Sequence, residues 1–233
     1  MKLLATLALL AGLTPAAAAQ VTSYSPTSVP AVTLDGLPTI VVQGANFAPD
    51  LQVSVAGKLL ENPVIGPQHV IVTPTEVRFL VPHQDTLGLV PVTLSSASAG
   101  TSETIDLRIV ANQTPLMDLH ADTPSYLLSG VPAGVTVAGL PGDFGVLYYS
   151  PDLSPTPLQG IVEGGLAIGS GGSSLIRLRM YTIPPKGHIT WTFDISAFPA
   201  GSSFHLQAAH LLQGKGHHLP ATPSNVQTGT ILF

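Results

Sequence analysis

The chain has 233 residues, of which 45% are hydrophobic and only 9% charged, with a formal net charge of -5 and no cysteine. This balance excludes a phosphate-binding surface, which needs clustered Lys and Arg, so nucleic acid is not expected as a partner. The basic residues are scattered apart from Arg177 and Arg179, and the absence of cysteine excludes disulfides and a lipoprotein anchor.

The first residues, MKLLATLALLAGLTPAAAAQ, combine Lys2, an apolar run over residues 3–13 and Ala17-Ala18-Ala19. These are the three parts of a secretory signal, and the run is too short to span a bilayer. Cleavage is expected near Ala19, leaving Gln20 first. The protein is therefore expected to be secreted, periplasmic or at the cell surface, with no membrane span in the mature chain. An exported chain without disulfides fits a bacterial source.

From Val21 onward the apolar residues recur with a period of two or in short runs. The segments TIVVQG, LQVSVAG, HVIVTPTEVRFLVP and LVPVTLSS are strand-sized, rich in Val, Ile and Thr, and each is punctuated by Gly, Pro or Asn. In SETIDLRIV (residues 102–110) Ile105, Leu107 and Ile109 alternate with Asp106, Arg108 and Val110, as in the closing strand of a first domain. ANQTP (residues 111–115) reads as a seam; its Asn112-Gln113-Thr114 fits a glycosylation sequon, but a bacterial signal argues against a sugar there. A second series follows: PLMDLHAD, GVTVAGLPG, GVLYYS, SLIRLRM, GHITWTFDI, SFHLQAAHLL and GTILF. With 23 Gly and 22 Pro and no amphipathic helical window beyond two turns, the chain is expected to be all-β. Two tandem β-sandwich domains are expected after a signal peptide at 1–19, with boundaries at 20–111 and 112–233.

The corner in TIVVQGANFAPDLQVSVAG (residues 39–57) is expected to carry the chain from one sheet to the facing one. Gly44 would supply an unusual backbone angle, Asn46 would bond freed backbone groups, and Phe47 would plug the end of the sandwich. Pro49-Asp50 would complete the turn. SYSPTSVP, TIVVQGANF, VSVAGK, VIVTPTEVRFLVP and GLVPVTLSSA together resemble the IPT/TIG family of immunoglobulin-like domains over residues 21–110. That resemblance implies an immunoglobulin-like sandwich of a kind found in receptors, enzyme accessory modules and adhesive surface proteins. It implies interaction without naming a ligand. The second half more loosely resembles a C-terminal β-domain of secreted proteins of planctomycete-type bacteria. GVTVAGLPGDFGVLYYS, PLQG, FPAGSSFHLQAAHLL and PSNVQTGTILF carry it, with Phe204, Leu206, Gln207, Ala208, Ser224 and Asn225 in the matching phrases. No activity is attached to that resemblance.

Candidate chemistry is sparse. Asp118, His120 and Asp122 share one face of a strand, but the first and third lie about 13 Å apart, too far for one metal ion. A solvated strand face is the expected reading. His205, His210, His217 and His218 crowd one stretch, yet neighbours point apart and His205 and His210 have opposite parity, so solvated histidines are expected rather than a metal site. GDFG (residues 142–145) lacks the other kinase signatures and reads as a turn, and GSGGSS (169–174) lacks the lysine of a phosphate loop. LPATP (219–223) only imitates a sorting signal. No nucleophile elbow appears. Tyr148 and Tyr149 send one ring to each face of a strand and are candidate ligand contacts, whereas Ile189, Trp191 and Phe193 form a stripe expected in the core.

No catalytic residue, cofactor or metal is therefore expected. The leading expectation is an exported, non-enzymatic β-sandwich protein for cell-surface interaction, adhesion or ligand binding, with protein or carbohydrate as partner. One alternative is a secreted carbohydrate-active accessory or hydrolase with an acidic site at second-domain loops, probed at Asp143 or Asp152. The other is a structural spacer.

Overall fold

A computed structural model describes residues 18–33, 37–63, 68–120, 127–128, 132–169, 174–194, 198–213 and 220–232. Among these residues the regular structure is all β. Residues 1–17 of the signal segment, Asp122, His217 and His218 lie outside the described residues.

The first half contains β1 (Gln20–Ser25), β2 (Ser28–Pro30), β3 (Thr39–Ala45), β4 (Gln52–Val55), β5 (Lys58–Leu59), β6 (Val70–Val72), β7 (Glu76–Leu80), β8 (Gly88–Ser96) and β9 (Thr101–Val110). They form two sheets, ordered β1-β3-β7-β6 and β2-β9-β8-β4-β5. The first is the A-B-E-D order of an immunoglobulin sandwich and the second contains its C-F-G order, so the first half is immunoglobulin-like by topology. β2 leaves the strand A position to pair in parallel with β9. The period of two decides which side chains go inside: Ile40 and Val42, Val53 and Val55, Val77 and Phe79, and Leu107 and Ile109 are all buried.

The corner does change sheets, since β3 pairs with β1 and β7 while β4 pairs with β8. The division of labour differs from the expectation. Asn46, not Gly44, takes the left-handed conformation, at φ 59°. Gly44 is required for space: a Cβ there would overlap the Phe47 ring and the Gln20 carbonyl. The Asn46 amide donates to the Ala18 carbonyl at 3.3 Å, and the Phe47 N–H donates to the Pro74 carbonyl at 3.1 Å. Leu51 N–H closes the Pro49-Asp50 turn on the Ala48 carbonyl at 3.0 Å. The Asp50 carboxylate then accepts from the Ser96 and Ser98 hydroxyls and from Ser98 N–H, which holds its pKa down at about 2.

The second half contains β10 (Leu116–His120), β11 (Leu127–Leu128), β12 (Ala133–Ala138), β13 (Phe144–Ser150), β14 (Ile176–Thr182), β15 (His188–Phe193), β16 (Ser203–Leu211) and β17 (Thr222–Leu232). A three-stranded sheet, β10-β12-β15, faces a five-stranded one, β11-β17-β16-β13-β14. Met117, Val135, Val137, Leu147, Leu206, Ala208 and Ile231 are buried between them. The last strand starts at Thr222, well before the expected GTILF. Its Asn225 amide exchanges both hydrogen bonds with the Met117 backbone, at 2.8 and 2.9 Å, and so sews β10 to β17.

No strand of β1–β9 pairs with one of β10–β17 among the described residues. The two halves meet through side chains: Leu116 and Ala138 pack on the first core, and Lys186 donates to Asp85 at 3.3 Å. Asn112 is bound in both directions to the Val32 backbone, which fixes the seam to the first sandwich.

Candidate functional site

Three strands cannot cover five. Among the described residues β14 is an edge of the larger sheet; its Arg179–Tyr181 end packs on Trp191 of β15, and its Ile176–Leu178 end stands over a cavity of about 400 Å³. Ala133 and Val135 of β12, Leu119 of β10 and Phe193 of β15 form one wall; Tyr149, Phe204 and Leu206 form the other. Ile176 and Leu178 of β14 stand at the opening, 52% and 41% exposed, whereas Val135 and Leu206 are 0% and 3% exposed. Phe198 completes an aromatic cluster. Its ring stacks on Phe204 at 5.8 Å and lies tilted against Tyr149 at the same distance. Gly229 makes room for Phe204, because a Cβ there would overlap that ring and Leu127. The cavity falls in the range of about 300–1,000 Å³ usual for small-ligand sites.

A β-bulge shapes the opening. β13 pairs Tyr148 with Arg177 but Leu147 with Arg179, so Leu178 is the extra residue. The bulge lets Ile176 and Leu178 both turn toward the cavity, although they are followed on the inner face by Arg179. Met180, 53% exposed, pairs with Val146 on the outer face.

Of the two candidate tyrosines, Tyr149 lines this cavity and Tyr148 faces the opposite side. There Tyr148 packs with Val162, Leu166 and Ile168, which residues 151–169 lay over the outer face, and with Ala221. Gln207 ties that segment down by accepting from Ala167 N–H at 2.8 Å and donating to the Ser224 carbonyl at 2.9 Å. The matching phrase Phe-x-Leu-Gln-Ala thus places Phe204 and Leu206 in the cavity wall and Gln207 on the other face. Trp191 is half-buried, edge-on to Tyr181 at 5.0 Å, with the Arg179 guanidinium 5.5 Å above its ring.

The histidines require a correction. His205 and His210 sit on opposite faces of β16, but neither is solvated: they are 8% and 0% exposed. Each found a polar partner on another strand, which is what makes burial tolerable. His205 Nδ1 contacts the Thr228 hydroxyl at 2.8 Å, and burial, partly offset by Asp152, lowers its pKa. His210 Nε2 contacts the Tyr181 hydroxyl at 2.7 Å. Its Nδ1 lies 4.0 Å from Asp143 Oδ2, too far for a hydrogen bond.

Asp143 is 1% exposed and holds two turns, accepting from Leu140 N–H at 3.0 Å and Gln213 N–H at 2.7 Å. Burial pushes its carboxyl up, but His210 and these backbone donors outweigh it and the net shift is downward. Burial and the Asp143 charge push Tyr181 well above the usual phenol range. Tyr181, His210 and Asp143 are all buried and none of them lines the apolar cavity; His210 Nδ1 has no hydrogen-bond partner among the described residues.

Asp152 accepts from the Ser174 hydroxyl at 2.7 Å beyond the far end of β13. Between it and Asp143 runs the length of that strand, six steps or about 20 Å from Phe144 to Ser150, against the roughly 5–9.5 Å of a glycosidase pair. Asp118 lies on β10 opposite Thr136. Among the described residues, no group of three His, Cys, Asp or Glu side chains is placed to hold a metal ion.

No protein-family model and no curated protein matches the chain. Among solved structures, a tandem of titin immunoglobulin domains is 10% identical, covering 92% of this chain and 98% of that one at a TM-score of 0.34. An α-2-macroglobulin from Salmonella is 15% identical, over 94% of this chain and 15% of that one, at 0.31. A protein of unknown function from Bacteroides thetaiotaomicron is 11% identical, over 90% and 48%, also at 0.31. The chain thus spans about 15% of the α-2-macroglobulin and about half of the Bacteroides protein. The immunoglobulin-like description rests on strand order and not on these likenesses.

Proposed function

We propose that this is an exported, non-enzymatic ligand-binding protein whose site is the apolar cavity of the second sandwich. The first sandwich, read as an IPT/TIG-type domain, serves as its scaffold toward the cell surface. The observation that carries the reading is a cavity with ten apolar or aromatic liners, Tyr149 among them, opening between sheet edges. A spacer has no use for such a space, since unfilled volume costs stability at about 24 cal/mol per Å³ in core deletions. The separation of Asp143 from Asp152, and the burial of Asp143, weigh against the hydrolase alternative.

The test is binding of N-phenyl-1-naphthylamine, a neutral probe that brightens in apolar surroundings. Probe fluorescence should rise with wild-type protein and fall back when Ala133→Phe fills the cavity. Leu178→Glu, at the half-exposed opening, should weaken binding without disturbing the fold. A probe that stays dark with wild-type protein, or binds all three proteins alike, sinks the proposal.

A further inference from the structure

The strand at the cavity's opening carries two arginines although the chain has a net charge of -5. On β14 the liners Ile176 and Leu178 alternate with Arg177 and Arg179, both exposed. Arg179 pairs with Leu147, a core residue, and therefore stands on the inner face. Its guanidinium lies over Trp191, which is one two-residue step, about 6.6 Å, from the liner Phe193 on β15. The cation is thus placed where the edges of the two sheets border the opening. Arg177 pairs with Tyr148 and faces the outer side. Among the described residues neither arginine has a carboxylate partner.

An apolar chamber with the Arg179 guanidinium beside its opening complements one kind of molecule. We propose that the cavity takes the hydrocarbon chain of a single-chain anionic amphiphile, such as a fatty acid, with its carboxylate held at Arg179. The inference rests on the cavity being the ligand site and adds the ligand's chemistry. A neutral hydrocarbon would leave the guanidinium unused, and a cationic amphiphile would be repelled by it. The planar fork of arginine suits a carboxylate, and its stacking on Trp191 fixes the fork before the ligand arrives. The bulge at Leu178 is what brings Arg179 to the inner face.

The experiment displaces N-phenyl-1-naphthylamine from the protein with dodecanoate or with dodecanol, which share a chain length and differ in charge. At neutral pH and low salt, dodecanoate should displace the probe at about fivefold lower concentration, the scale of one partly exposed charge pair. Arg179→Gln should remove that advantage, Arg179→Lys should keep part of it, and Arg177→Gln, an equal charge change on the outer face, should leave it. High salt should shrink it. Equal displacement by acid and alcohol, or an advantage that survives in Arg179→Gln, overturns the inference while the probe itself still reports an apolar site. A probe that never binds overturns the site as well. Anionic vesicles that sediment the protein while dodecanoate leaves the probe in place would assign the charge to a membrane surface, and would also overturn it.

Discussion

Replacing Gly44 and Phe47 by alanine, singly and together, separates packing from backbone freedom at the sheet-changing corner. Phe47 is 4% exposed, so Phe47→Ala deletes a buried ring, at about 3–5 kcal/mol. Gly44→Ala sets a methyl against that same ring and against the Gln20 carbonyl. Overpacking of this kind costs about 1–3 kcal/mol. Gly44 lies outside the left-handed region, so alanine can follow the chain path there. Once the ring is gone, one of the two obstacles to the methyl is gone, and the methyl fills part of the void. The double variant should therefore be less destabilised than the sum of the singles, by about 1 kcal/mol or more. At about 4–8 °C per kcal/mol for a domain of this size, the coupling appears as several degrees in the first-sandwich melting transition. Thermal unfolding followed by circular dichroism measures it. Strictly additive losses would refute the packing argument and return the glycine to a backbone role.

Acid should destabilise the protein in two stages. Burial depresses His188 and His205 below the ordinary 6.5, so the unfolded chain takes up protons first. Stability present above that value is lost as pH falls through their folded values. Asp143, held below 3.8, adds a second loss as pH falls from there through its own folded value. Urea midpoints measured from neutral to strongly acid pH test this, and a flat profile contradicts it. Tyr181→Phe leaves the buried His210 Nε2 without its partner and should cost about 1–3 kcal/mol in the same assay; an unchanged midpoint would mean the contact carries nothing. A chain beginning at Gln20 loses Ala19, 6% exposed in the first core, and the Ala18 carbonyl that Asn46 bonds. It should be about 1 kcal/mol less stable than one beginning at Ala18, and equal melting curves would argue otherwise.

Strand periodicity made much of the architecture legible, because Ile105, Leu107 and Ile109 alternate as a one-sided strand must. The corner was legible as a change of sheet, but not the roles within it. Which residue of Gly44 and Asn46 turns left-handed depends on where the Phe47 ring lands. The histidines were misread for a related reason. Thr228 and Tyr181, which bury His205 and His210, lie 23 and 29 residues away and meet them only through strand pairing. Residues 151–169 have no period of two, yet they seal the outer face through Val162, Leu166 and Ile168. Tyr149 was legible as one of a pair pointing to opposite faces. The cavity it lines was not, because it arises from a mismatch of sheet widths and a bulge at Leu178, neither of which leaves a local mark. Ser224 and Asn225 stood out as a phrase; the function of Asn225 in joining β10 to β17, and of the Ser224 hydroxyl in accepting from Ala208 N–H of β16, emerged from the fold.

An apolar ligand held between the sheets of the second sandwich would touch the methyl groups that line its cavity. Methyl-resolved NMR during titration with dodecanoate tests this most directly. Shifts should concentrate on Leu119, Val135, Ile176, Leu178 and Leu206, while first-sandwich methyls such as Val42 and Leu107 stay still. Shifts spread evenly over both sandwiches, or none at all, would mean that the cavity holds no such ligand.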